Sequence, residues 1–259
     1  MRLEAGRYTV RLAETEEDVA AAQRLRYRVF VEEMGADATP ENTALRRESD
    51  SFDPHFDHLI IVDEETIAED PLDRVVGVYR LLRGEVAKRG CGFYGASEYD
   101  LDKVLHYPRE VMELGRSCVD AEHRGGAAMH LLWTGLGHYV AEHNIEIMFG
   151  VASFHGADPA PLAMPLSYLH YNHLAPEDLR VRTQAEHYVA MNSVPEDQVD
   201  RAAALRAIPP LIKGYLRLGG CVGDGAFVDH EFNTVDVCLL MDTARMVDRY
   251  KKFYQQTST

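Results

Sequence analysis

The sequence predicts one mixed α/β domain whose last third is an elaboration on the core. Short apolar runs bounded by turn residues recur along the chain, as buried strands require. Between them stand stretches with apolar residues at three-and-four spacing, as amphipathic helices require. No internal repeat, low-complexity tract or long linker divides the 259 residues. A single domain over 1–259 is therefore expected, with its core at about 7–157 and an extension at about 158–259.

Residues 8–12 alternate weakly and read as a strand. Thr15 stands three before Asp18, a capping-box-like start to a helix that carries Leu25, Val29, Phe30 and Met34 and ends at Gly35. The polar segment 36–51, with Pro40, reads as a loop leading to a buried strand at 59–62 and a second at 75–82. The connection between those two, an acidic cluster and Pro71, is short enough for an antiparallel hairpin. A strand at 111–119, a glycine turn, a helix at about 127–143 and a strand at 145–151 follow. Beyond Pro159 the chain is richer in Pro, His and Tyr. Helical pieces at 162–171, 199–205 and 211–217 precede a last strand at 235–241 and a short C-terminal helix.

Composition excludes some classes of function. Hydrophobic residues at 46% and charged residues at 27% are ordinary for a soluble globular protein. A formal net charge of -15 argues against a nucleic-acid footprint, which needs excess Lys and Arg. Any acidic partner must meet a local basic patch. Cys91, Cys118, Cys221 and Cys238 lie far apart, without the close pairs of a zinc site, and read as free thiols in a reducing compartment. No signal peptide and no apolar window of about 20 residues is present, so a cytoplasmic protein is expected.

The stretch VMELGRSCVDAEHRGGAAMHLLW, residues 111–133, carries the chemistry. It runs from an apolar strand with Glu113 and Arg116 embedded in it, through a glycine turn, into an amphipathic helix. A helix N-terminus presents unpaired N–H groups and partial positive charge, so the turn His123, Arg124, Gly125, Gly126, Ala127 suits a phosphate. A bare Gly-Gly also serves simply as a tight connection. Glu113 and Arg116 are three apart, so regular pleating puts them on opposite faces unless a bulge redirects one. They either serve chemistry or form an internal salt-bridge network.

Upstream, ESDSFDPHFDH gathers Glu48, Asp50, Asp53, Asp57 and His58 before a strand. This is either a solvated turn or a set of carboxylates that pairs a ligand's ammonium groups. The pairs His55/His58 and His170/His173 lack a second ligand pair at familiar spacing, so no metal is expected. His155 is a base by residue type or a packing residue. Met164, Leu166, Tyr168, Leu169 and Tyr171 line an acyl pocket or the core. No Gly-x-Ser-x-Gly elbow occurs, and Ser117 beside Cys118 lacks an evident base, so direct attack by an amine fits better than an acyl-enzyme.

The order strand, helix, two antiparallel strands, strand, glycine turn, helix, strand resembles the GCN5-related N-acetyltransferases, the GNAT superfamily. That resemblance implies a mostly antiparallel twisted sheet with splayed central strands and flanking helices. The blocks RLRYRVFVEEMG, ESDSFDPHFDHLIIVD, ELGRSCV, IMFGVASFHGADP, IPPLIKGYLRLGG and VDVCLLMD narrow it. Over nearly the whole chain they are similar to the ornithine acyl-acyl-carrier-protein N-acyltransferases of ornithine-lipid synthesis. A more distant similarity reaches the acylhomoserine-lactone synthases. The turn departs from the family's Gln/Arg-x-x-Gly-x-Gly/Ala: counted from Arg124 the Gly position holds Ala127, and counted from His123 it holds Gly126 with Ala128 third. A carrier-protein thioester brings one phosphodiester instead of a pyrophosphate, a physical reason for a weaker turn.

The resemblance implies transfer of a 3-hydroxyacyl group from acyl carrier protein to the α-amine of L-ornithine, giving lyso-ornithine lipid. Other amine acceptors, a lactone product, or a non-catalytic module binding an acyl carrier are the alternatives. Glu113 and Arg116 are the expected catalytic pair. Arg124, Gly125, Gly126, Ala127, Ser153 and Phe154 are expected to bind the acyl-phosphopantetheine, a co-substrate, with no tightly bound cofactor. Asp50, Asp53, Asp57 and His58 are expected to bind the amino acid. A basic face for the acidic carrier protein is sought among Arg80, Arg83, Lys88 and Arg89 or at Lys213 and Arg217, and peripheral contact with the inner face of the cytoplasmic membrane is admitted.

Overall fold

The computed structural model describes residues 1–68, 70–124 and 127–245. In chain order its strands are β1 (Arg2–Ala5), β2 (Tyr8–Leu12), β3 (Asp57–Asp63), β4 (Val75–Arg83), β5 (Tyr99–Asp100), β6 (Val111–Val119), β7 (Ile147–His155), β8 (Arg182–Thr183), β9 (Cys221–Val222), β10 (Phe227–Asp229) and β11 (Thr234–Asp242). The principal helices are α1 (Glu16–Arg26), α2 (Pro40–Leu45), α3 (Ala127–Glu142), α4 (Ala163–His173), α5 (Arg201–Ala207) and α6 (Pro210–Arg217). The pairings are mostly antiparallel and the helices flank the strands. The chain forms two compact units. Among the described residues one holds Met1–Cys91 and Leu114–Asn144, the other Gly92–Glu113 and 145–245.

In the first unit β1, β2, β3 and β4 follow one another as antiparallel neighbours, and the Leu114–Val119 part of β6 comes next to β4. Helix α1 starts where the sequence places it: the Thr15 hydroxyl accepts from the Asp18 N–H at 3.1 Å. Acidic Glu16, Glu17 and Asp18 fill its first turn and Arg24 and Arg26 its last, which matches the helix dipole. Its apolar face packs Ala21, Ala22 and Leu25 against Ile60, Val62, Val75 and Val78. The helix expected to reach Gly35 changes character at Tyr27–Glu33, a wider π-helical turn, and the chain leaves it through Gly35 at φ +78°. Segment 36–51 is not all loop. Thr39 caps α2, and Pro40 sits at its first turn where a missing N–H costs nothing.

Helix α3 lies close on the strands because Gly135 permits it. A Cβ there would meet Val10 Cγ1 at 2.8 Å and Leu59 Cδ1 at 3.2 Å.

In the second unit β7 and β11 form a nine-residue antiparallel ladder from Thr234↔His155 to Asp242↔Ile147. Strand β10 returns on β11, and β9 also pairs with β11. Val111–Glu113 opens β6 within this unit. Helix α4 buries Leu166, Ser167, Tyr168 and Leu169, so most of the apolar set expected to line either a pocket or the core goes to the core. The expected C-terminal helix lies outside the described residues.

Candidate functional site

Strand β6 carries the candidate pair and breaks its own pleat between them. Arg116 takes φ +51°, a left-handed conformation that a non-glycine residue adopts only when its surroundings fix it. Glu113 and Arg116 go to different partners, the first to backbone amides of Tyr94 and Gly95 and the second to carboxylates of Glu48 and Asp50. Glu113 is 2% exposed, and its carboxylate accepts from the Tyr94 N–H at 2.8 Å and the Gly95 N–H at 2.6 Å. Those amides open the 3₁₀ turn Tyr94–Ser97, so the acid holds that turn in place. A Cβ on Gly95 would stand 3.0 Å from Glu113 Oε1, so a side chain there would push the carboxylate by a few tenths of an ångström.

Arg116 belongs to a buried ion network in the first unit. Arg26 and Arg80 are both 0% exposed. Arg26 donates to Asp53 Oδ1 at 2.7 Å and Oδ2 at 2.9 Å and to the Glu48 carboxylate. Arg80 donates to Asp53 Oδ1 and to both oxygens of Asp50, each at 2.8 Å. Arg116 donates to Glu48 at 3.1 Å and to Asp50 at 3.5 Å. Three guanidiniums thus answer three carboxylates. Burial opposes ionisation of Asp53 and Glu48, yet Arg26, Arg80 and, for Glu48, Arg116 hold both carboxyls below their ordinary range. Burial likewise lowers the pKa of His58, whose Nε2 lies 3.1 Å from the Asp53 carbonyl oxygen, so the imidazole is kept neutral.

The acidic loop therefore meets arginines of its own chain. Asp53 is 5% exposed and also accepts from Gln23 at 2.9 Å, while Asp50 keeps a side-chain exposure of 21%. Asp57 accepts from the Tyr139 hydroxyl and has Arg83 Nε at 3.8 Å. Arg80, expected to help present a basic face, is instead at the centre of this network. Lys88, Arg89 and Arg217 are exposed.

Of the expected donor-side residues, Arg124 forms a two-pronged ion pair with Glu33 and donates through Nε to the Val119 carbonyl at 2.9 Å. Gly125 and Gly126 lie outside the described residues, and Ala127 begins α3. Ser153 is exposed on β7, whereas Phe154 on the opposite face is 2% exposed and packs in the core. All four cysteines are free, and burial pushes the Cys118 thiol up to about 12, which removes it as a nucleophile near neutrality. Among the described residues no helix is long and apolar enough to cross a membrane.

One cluster has no counterpart in the sequence expectations. Carboxylate oxygens of Glu98, Asp229 and Asp236 all lie within 4.8 Å of one another in the second unit. The three acids are up to 138 positions apart in sequence (236 − 98), so no motif could signal them.

The chain is similar to known proteins in sequence and in fold. The acetyltransferase (GNAT) domain model matches residues 25–134, which include β6. An N-acyl amino acid synthase from uncultured soil microbes superposes with a TM-score of 0.52 over 93% of this chain and 96% of its own, at 11% identity, and so shares the fold. The fold is GNAT-like, and residues 25–134 carry the acetyltransferase (GNAT) domain. The L-ornithine N(alpha)-acyltransferase of Rhodobacter capsulatus is 53% identical over 95% of this chain and 94% of its own length. That of Brucella abortus is 43% identical over 96% and 89%. The chain belongs to the L-ornithine N(alpha)-acyltransferase family.

Proposed function

We propose that this chain moves a 3-hydroxy fatty acyl group from the phosphopantetheine thioester of acyl carrier protein to the α-amine of L-ornithine. The observation that carries the reading is the 53% identity to an L-ornithine N(alpha)-acyltransferase along almost the full length of both chains. The donor and the hydroxylated chain rest on the family resemblance and on the departed glycine turn.

An α-amino group has a pKa near ~8 and is mostly protonated at neutrality, so it must lose a proton before it attacks. Glu113 is the acceptor of that proton, directly or through a water. The Tyr94 and Gly95 amides fix the position of its carboxylate. The amine nitrogen then bonds to the thioester carbon, the carbon–sulfur bond breaks, and the thiolate leaves to take up a proton. A backbone N–H of β6 at its irregular stretch meets the transient oxyanion. Arg124 and the amides opening α3 hold the donor phosphate, which displaces Glu33 from Arg124. Arg116 keeps β6 in register through Glu48 and Asp50. The Cys118 thiol's raised pKa supports direct transfer over an acyl-enzyme.

Thiol release tests this reading. With purified protein and 3-hydroxyacyl carrier protein, free thiol is expected to appear only when ornithine is added, without an initial burst. Thiol release in the absence of any amine, at the same rate, would overturn it.

A further inference from the structure

Side chains on one face of β7, Val151, Ser153 and His155, face Cys238, Asp236 and Thr234 of β11. The register carries the same face to β10, where Asp236 stands opposite Phe227 and Thr234 opposite Asp229. The turn Tyr94–Ser97 lies over this face. Phe93, just before it, meets the Phe149 ring edge-on at 4.9 Å, and Tyr99, just after it, donates its hydroxyl to the Asp236 carbonyl at 3.0 Å. Glu113 anchors the beginning of the turn, and Glu98 follows its end and joins Asp229 and Asp236. Glu98 is 4% exposed and Asp236 is 3% exposed. Thr234, 2% exposed, brings to the same face a hydroxyl that has no hydrogen-bond partner among the described residues. A cavity of about 540 Å³ opens onto Glu98 and Asp229, with Tyr94, Tyr188 and Phe227 in its walls.

Carboxylates this close repel one another, and a cation brought among them relieves the repulsion. Aromatic rings around the opening favour an organic cation, because their faces attract ammonium groups. The volume lies within the ordinary range for small-molecule sites. A buried hydroxyl beside the acids offers one more acceptor to an N–H donor.

We propose that this cavity holds the acceptor amino acid, with Glu98, Asp229 and Asp236 pairing the ammonium of its side chain. The proposal rests on the amine-acylation reading above and deepens it. Glu113, at one end of the Tyr94–Ser97 turn, serves the reacting α-amine. The acids at the other end select a basic amino acid and set how far its second charge lies from the first. The arginine network around Asp50 and Asp53 then has a structural task, and the specificity for a diamino acid comes from residues that strand pairing brings together.

Direct binding tests this apart from turnover. Ornithine and norvaline, which share a carbon chain but differ in the terminal amine, are titrated calorimetrically into the full chain and into Asp229→Asn. Asn still accepts from the Phe232 N–H that Asp229 receives at 2.9 Å, so the loop is retained. Ornithine is expected to bind the unaltered protein at least ~100-fold more tightly than norvaline, because a site built for a polar group rejects the analogue lacking it. The substitution should weaken ornithine at least ~10-fold and leave norvaline unchanged, a loss in line with removing one charged partner. Equal weakening of both ligands, or none, would overturn the proposal. So would loss of ornithine binding on chelation with recovery on adding Mg²⁺ or Mn²⁺, which would make the acids a metal site. Selective ornithine binding without any acylated product would instead leave this site standing and sink the acyl-transfer reading.

Discussion

Asp53 and Glu113 are both carboxylates buried to within 5% of full coverage, and their surroundings give them opposite tasks. Asp53 receives two guanidiniums and balances charge, so removing its charge leaves the buried Arg26 and Arg80 one carboxylate short. Asp53→Asn is therefore expected to cost about 3–5 kcal/mol of stability, the usual cost of breaking a buried pair, measured by urea denaturation. A stability change below about 1 kcal/mol would contradict the network account. Glu113 receives two uncharged amides and is the proposed proton acceptor. Glu113→Gln is expected to lower turnover by about 10² to 10⁴, the range for a general base, with loss of the acidic limb of the pH–rate profile. If turnover falls by the same factor at every pH and that limb persists, Glu113 positions the 94–97 turn and does not take the proton. The sequence made Glu113 and Arg116 visible as charges inside an apolar strand. It could not reveal that Arg26 and Arg80 complete the acidic loop, since both stand in segments that read as ordinary helix and strand.

At the scale of elements, the strands at β2, β3, β4 and β6 and helices α1 and α3 were legible from periodicity and from the Thr15 cap. Strand β7 runs four residues beyond its expected end (155 − 151), because its apolar run gives way to Ser153, Phe154 and His155 while the ladder with β11 continues. Strands β1, β9 and β10 were not legible. Each is four residues or fewer, too short for alternation to register, and is held by its neighbour more than by its own propensity. The short turn at Tyr94–Ser97 escaped notice for the same reason, although it links Glu113 to Glu98. Gly95→Ala tests that turn. The added methyl would crowd Glu113 Oε1 at 3.0 Å, so kcat is expected to fall about 10-fold or more while thermal stability changes little, since a small displacement of a catalytic group is costly. Unchanged kcat would mean that the turn does not position Glu113 for the reaction.

For the whole molecule, the buried ionisable groups set the response to acid. His58 is held below its ordinary 6.5, Glu48 below 4.5 and Asp53 below 3.8, so in each case the unfolded chain binds protons that the folded chain refuses. Stability is thus fully present above pH 6.5, declines as His58 becomes protonated in the unfolded chain, and falls more steeply below 4.5 as the two carboxyls follow. Urea midpoints measured from pH 7.5 down to 3.5 are expected to trace this two-stage loss. A midpoint that rises on acidification would contradict the assignment of charges.

The central claim, acyl transfer to the α-amine of a basic amino acid, is tested most directly by identifying the product. The protein is given 3-hydroxyacyl carrier protein with ornithine, lysine, glutamine and norvaline in equal amounts, and the acylated nitrogen is located by tandem mass spectrometry. The account predicts acyl-ornithine as the dominant product, with the chain on the α-nitrogen and the δ-amine free. A chain on the δ-nitrogen, a dominant product on glutamine or norvaline, or a lactone would contradict it.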